Sequence, residues 1–250
     1  MVRTLLVRGL LLGLLAGLIA GGFAFAFGEP SVDSAIALEE AAQPPAAEAA
    51  GHDHGEEAVV SRPGQKAGLF LATGLYGMAV GGVFALVFAG LRGRVGPRSE
   101  GGLALAAAAT GFVAIILLPF LKYPANPPAV GDPETINSRT LLYVIMIGVG
   151  LASTAIAVAS ARRMQGGGPW ARWLVTVVTF LVPVIAAWVL LPGVNEVPAN
   201  FPATLLWEFR LASLGTQLVF WTAFGVLFGW ACDRAARRPA AVPVAVPTPS

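Results

Sequence analysis

Residues 4–27 read TLLVRGLLLGLLAGLIAGGFAFAF, an apolar run broken by a single charge, Arg8. A bilayer core about 30 Å thick needs ~20 apolar residues in a helix rising 1.5 Å per residue, so this run is long enough to cross it. Four of its five glycines fall at Gly9, Gly13, Gly17 and Gly21. A four-residue period puts them on one helix face, a smooth stripe on which another helix can pack closely. The run at 67–91 repeats the device in Gly77 and Gly81. The spacing therefore predicts that these two spans pack on each other through small residues. A second reading makes the first run a secretory signal, since Arg3 and Arg8 lead the apolar run and Ala24-Phe25-Ala26 has the spacing of a cleavage site. The glycine stripe favours a retained helix, because a discarded segment has no use for a packing face.

Further apolar stretches lie at 102–121, 140–161, 171–191 and 209–231. Hydrophobic residues make up 56% of the chain and charged residues 12%, with a mean hydropathy of +0.73. Those values exclude an ordinary water-soluble surface and predict an all-α integral membrane bundle of about six transmembrane helices. The expected organisation is one transmembrane domain over 1–238, with an extracytoplasmic acidic and histidine-bearing loop at 28–66. A Pro- and Ala-rich tail follows at 239–250, too poor in large apolar residues to form a core.

Orientation follows from the Lys and Arg residues, because cytoplasmic loops retain positive charge. Arg3, Arg8, Arg92, Arg94, Arg98, Arg162, Arg163, Arg172, Arg234, Arg237 and Arg238 fall on one side. Arg62, Lys66, Lys122, Arg139 and Arg210 fall on the other. The chain is expected in the bacterial inner (cell) membrane with both termini cytoplasmic. The basic residues are split among short loops rather than gathered on one soluble face, which argues against a nucleic-acid partner. Cys232 is the single cysteine, so no intrachain disulfide forms.

The unusual sequence lies in the outer loops. Leu117-Leu118-Pro119 is followed by Pro124-Ala125-Asn126-Pro127-Pro128-Ala129, and Leu190-Leu191-Pro192 by Pro198-Ala199-Asn200-Phe201-Pro202-Ala203. Each copy sits between an outward and an inward span, so the two hairpins read as parallel helical-hairpin repeats, a transporter plan. Chance in a Pro- and Ala-rich chain is the competing explanation. Proline-rich backbone near a membrane is tolerated where it is buried in protein or lines a wet cavity, so these loops are expected to plug an outer vestibule.

Trp207-Glu208-Phe209-Arg210 follows the second copy, and Arg210, Ser213 and Gln217 then line one face of the last span. Ionisable groups at membrane depth face the bundle interior and mark pathways. The expected polar lining is Glu196, Glu208, Arg210, Gln217, Asn126 and Asn195. In the expected arrangement Arg210 pairs with Glu196 or Glu208 in the empty state and holds the plug shut. That pairing is equally compatible with a purely structural role for Arg210. Arg139, Tyr143 and Met146 form a similar stripe on the fourth span.

The first outer loop carries Glu29, Asp33, Glu39 and Glu40 and then His52-Asp53-His54, which holds both histidines of the chain. Imidazole nitrogen beside carboxylate oxygen suits a borderline divalent metal, so His52, His54, Glu29, Glu39, Glu40 and Asp53 are the candidate metal-capture residues. Two histidines one residue apart do not close a coordination sphere, and a solvated linker is the competing reading. No Walker loop, H-E-x-x-H, G-x-S-x-G or Cys-x-x-Cys occurs. An enzyme is not expected, and neither is ATP-driven transport within this chain.

Several strings together resemble the CbtA family of probable cobalt transporter subunits. They are Gly28-Glu29-Pro30 with Ala35-Ile36 and Glu39-Glu40, the His52-Asp53-His54 segment, Lys122-Tyr123-Pro124-Ala125-Asn126-Pro127-Pro128, Val194-Asn195-Glu196-Val197-Pro198, and the run from Phe201 to Gln217. The resemblance covers nearly the whole chain. It implies a membrane component of a cobalt uptake system linked to cobalamin synthesis, with Co²⁺ as transported substrate and no bound cofactor. It also implies a partner resembling CbtB, a small single-span protein, within the lipid bilayer. A non-transporting membrane scaffold or metal-sensing regulator is the alternative from another functional class.

Overall fold

The computed structural model describes residues 2–42, 61–164 and 166–237. Of the described residues 83% are helical, and no strand occurs among them. Six helical stretches are long and apolar enough to span a membrane, namely Val2–Ala42, Arg62–Leu91, Glu100–Lys122, Pro133–Arg163, Pro169–Leu190 and Ala203–Ala236. The all-α bundle expected from hydropathy is the observed one. Helix α1 (Val2–Phe23) passes through a π segment (Ala24–Gly28) into α2 (Glu29–Ala42). Helix α3 is Arg62–Leu91, and α4 (Glu100–Gly111) continues through a second π segment (Phe112–Leu117) into α5 (Leu118–Lys122). Helices α6 (Ile136–Arg163), α7 (Pro169–Leu190) and α8 (Ala203–Ala236) complete the bundle.

The first span is longer than its apolar run predicts, and the expected loop from residue 28 is helical as far as Ala42. At 1.5 Å per residue its 41 residues extend ~60 Å, twice a bilayer core, so α2 must project beyond the hydrocarbon. Ion pairs hold the projection against α3. Arg62 Nη2 lies 2.6 Å from Glu29 Oε2 and 2.5 Å from Asp33 Oδ1, and Lys66 Nζ lies 2.8 Å from Asp33 Oδ2.

Both π segments stand immediately ahead of an intrahelical proline. Pro30 and Pro119 have no N–H to donate and would strain an α ladder four residues back. The preceding backbone instead closes wider turns, with Glu29 N–H donating to Ala24 O and Leu118 N–H donating to Val113 O, each five residues back. Leu117-Leu118-Pro119 thus continues the helix to Lys122, whereas Leu190-Leu191-Pro192 ends α7 at Leu190. The two similar strings do different local work.

The glycine stripe packs as the spacing predicts. A Cβ added to Gly9 would strike the Gly81 carbonyl, one on Gly13 the Gly77 carbonyl, and one on Gly17 the Thr73 carbonyl. The reciprocal clashes hold for Gly77 and Gly81, so α1 and α3 touch backbone to backbone. Beside them α8 completes an aromatic core, and α4 packs Leu103, Ala104 and Ala108 against it. Phe84 meets Phe224 edge-on at 4.9 Å between ring centroids, and Phe88 meets Phe228 at 5.2 Å. Asp233 near the end of α8 accepts from Gly101 N–H at 2.8 Å, placing a carboxylate at the α4 N-terminus. Helix α7 packs chiefly on α6, and Val184 is its one buried residue. Much of its remaining apolar surface is exposed, including Trp170, Leu174, Val182 and Val189, as a lipid-facing helix requires.

Candidate functional site

At the proline-rich end, the segments Tyr123–Val130 and Val194–Val197 close over a cavity of about 560 Å³. Its polar wall is made by Asn126, Arg139, Tyr143, Asn195, Glu196 and Arg210. The two proline-rich loops are tied to each other across its rim. Tyr123 Oη donates to Pro192 O at 2.8 Å, and Lys122 Nζ donates to Trp188 O at 2.9 Å. Prolines leave carbonyls without matching N–H donors, and here side chains from the facing element satisfy them.

Arg210 stands in the second turn of α8 and reaches across to the other loop. Its Nε donates to Ala125 O at 3.2 Å and its Nη2 to Asn126 Oδ1 at 2.9 Å. It meets neither Glu196 nor Glu208. The cation beside Glu196 is Arg139, with Nη1 3.3 Å from Oε2. Glu196 also accepts from Asp132 N–H at 3.0 Å. The Thr135 hydroxyl, that backbone N–H and the Arg139 guanidinium together hold the Glu196 carboxyl below its usual range. Arg139 Nε is buried without a partner among the described residues. Gly131 lies under this guanidinium at φ 121°, a backbone conformation that L side chains rarely adopt, and any Cβ there would collide with Arg139.

The expected lining is therefore only partly gathered. Asn126, Asn195, Glu196 and Arg210 share the cavity wall. Glu208 is exposed on α8 and off the wall. Gln217 lies seven residues, ~10 Å, deeper along α8, where its Oε1 accepts from Tyr76 Oη at 3.2 Å. Asp132 and Thr135 join the site without having been expected there. Their signal is the Asp132-Pro133-Glu134-Thr135 turn, in which Asp132 caps the following helical turn by accepting from Glu134 N–H at 2.9 Å.

The candidate capture residues separate likewise. Glu29 is engaged by Arg62. Glu39 and Glu40 are exposed near the end of α2, ten or more residues and ~15 Å along the helix from Glu29, too far to share an ion. His52, Asp53 and His54 lie outside the described residues, as does the tail at 239–250. Among the described residues no group of three or more His, Cys, Asp or Glu side chains is placed to hold a metal.

No curated protein and no solved structure matches the chain. A family described as "Probable cobalt transporter subunit (CbtA)" matches residues 2–233, nearly the whole sequence. The chain belongs to the CbtA family of probable cobalt transporter subunits.

Proposed function

We propose that this protein passes Co²⁺ inward from the proline-rich end, and that the cavity walled by Glu196 and Arg139 is the outer vestibule of the route. The observation that carries this reading is the ion pair itself: one carboxylate, its pKa lowered by the Thr135 side chain, the Asp132 N–H and the Arg139 guanidinium, faces an open cavity beneath proline-rich loops. An arriving divalent cation competes with Arg139 for Glu196, so the pair acts as a latch that the substrate opens. Arg210 has a different task, clamping the Ala125–Asn126 backbone and fixing the opposite wall. Two guanidinium groups make the resting cavity unattractive to cations. A latch that keeps the vestibule closed to the more abundant monovalent ions fits that charge balance.

In this reading His52, His54 and Asp53 concentrate Co²⁺ outside the membrane, with Glu39 and Glu40 adding negative charge along the approach. The Arg-rich end is cytoplasmic, the membrane is the bacterial inner membrane, and a small single-span protein resembling CbtB completes the assembly. The metal serves cobalamin synthesis, and the chain catalyses no reaction. An inside-negative potential supplies about 4.6 kcal/mol per 100 mV for a divalent cation, enough for accumulation on the order of 10³-fold without ATP. A scaffold or metal sensor is the rival reading, and it predicts no flux through the chain. Cobalt uptake measured with membrane abundance tests the assignment. Glu196→Gln should lose uptake and Arg139→Gln should admit cations less selectively, both at wild-type abundance. Normal, selective uptake by both variants would remove the vestibule from the route.

A further inference from the structure

A second cavity, about 650 Å³, opens at the opposite end of the bundle, between the α3–α4 connection, the end of α6 and the start of α7. Five guanidinium groups line it, those of Arg92, Arg94, Arg98, Arg162 and Arg172, against one carboxylate, Glu100. Arg92 Nε pairs with Glu100 Oε1, and Arg94 Nη1 donates to Gly90 O at 2.9 Å. The guanidinium groups of Arg98, Arg162 and Arg172 have no hydrogen-bond or ion-pair partner among the described residues. The charge bias of cytoplasmic loops accounts for arginines at this end of the protein. It does not account for arginines from three separate segments converging on one recess, since like charges repel and dispersal would satisfy the bias equally well.

We propose that this recess binds a phosphate-bearing anion, with the headgroup of an anionic phospholipid of the adjacent leaflet as its ligand. Guanidinium groups bind phosphate oxygens in paired, charge-assisted hydrogen bonds, and Arg is favoured over Lys for this geometry. The recess lies at the ends of α3 and α6 and the starts of α4 and α7; with these helices crossing a bilayer it would meet the headgroup layer, and basic pockets between helices at that depth suit lipid phosphates. The bound phosphate would bridge α6 and α7 to the α3–α4 connection, joining the peripheral helix pair to the core of the bundle.

Native mass spectrometry of the full-length protein tests this, with phosphatidylglycerol, phosphatidylcholine and inorganic phosphate added separately. The wild type should retain phosphatidylglycerol over phosphatidylcholine. The triple variant Arg98→Gln, Arg162→Gln, Arg172→Gln should bind it far more weakly, by roughly tenfold for each guanidinium removed. A control triple, Arg3→Gln, Arg163→Gln, Arg237→Gln, removes the same charge from the same end outside the recess and should retain wild-type affinity. Should the recess triple fail to fold, single Arg98→Gln and Arg172→Gln variants carry the same comparison. Displacement of phosphatidylglycerol by inorganic phosphate would make a soluble phosphate compound the natural ligand of the same site, and resistance to it would support the lipid. Equal loss in both triples, or no preference for either phosphate-bearing anion, would overturn the proposal.

Discussion

Replacing Gly77 with alanine adds one methyl group where α1 and α3 touch. The new Cβ would overlap the Gly13 carbonyl oxygen and lie 2.9 Å from Gly17 Cα and 3.0 Å from Gly17 N. All three are backbone atoms of a helix, so none can rotate away, and the helices must separate along their shared stripe. Overpacking a filled site costs ~1–3 kcal/mol, and a backbone obstacle places this case near ~3 kcal/mol. Alanine recovers about 1 kcal/mol of helix propensity, leaving a net loss of about 2 kcal/mol, roughly 30-fold in the folded-to-unfolded ratio. For a chain of this size that is a fall of roughly 4–8 °C in melting temperature. Thermal unfolding of the detergent-solubilised protein, followed by its tryptophan fluorescence, measures it. Gly68→Ala is the matched control, because it lies in the same helix with nothing within 4 Å of the added carbon, and it should be neutral or stabilising. Equal melting of Gly77→Ala and Gly68→Ala would refute backbone contact between α1 and α3.

Reporter fusions after Arg94 and Arg163 should read cytoplasmic, and fusions near Asp132 and Val197 external; one reversed pair breaks the orientation. Replacing His52 and His54 with alanine should reduce cobalt uptake at low metal concentration more than at saturation. Lowering external pH through about 6.5 should mimic that substitution, since a protonated imidazole cannot ligate metal. The Glu196–Arg139 latch should respond to acid differently. Its carboxylate has a lowered folded-state pKa, so its contribution to stability is complete above the ordinary value of 4.5 and is lost only as pH falls through the lowered one. The difference in melting temperature between wild type and Glu196→Gln should therefore stay constant from neutral pH down to about 5 and close below 4.5; a difference already closed at about pH 6 would contradict the depressed carboxylate.

The six spans were legible because a bilayer demands long apolar helices, and Gly9, Gly13, Gly17 and Gly21 marked their contact face through period alone. The ends were less legible. Helix α2 carries Glu29, Asp33, Glu39 and Glu40, so hydropathy stops where the helix continues, and the continuation is secured by pairing with Arg62 and Lys66 on α3. Proline misleads in a similar way: Pro119 resembles Pro192 as a stop, yet the π turn ahead of it lets the helix run on. In the cavity, Glu196 and Arg210 stand out in the sequence as polar groups at an outer mouth, but proximity along the chain pairs them with each other. The observed partners, Arg139 and Asn126, come from other segments, and spacing carries no information about such a cross-loop pairing.

Radiolabelled cobalt uptake into proteoliposomes holding an inside-negative potential tests the central claim most directly, with the purified chain alone and with a single-span partner added. Transport through the vestibule predicts accumulation above protein-free liposomes, rising with the imposed potential and abolished by Glu196→Gln at equal protein density. Uptake no greater than that of empty liposomes, in both preparations and at either polarity of the potential, would contradict it.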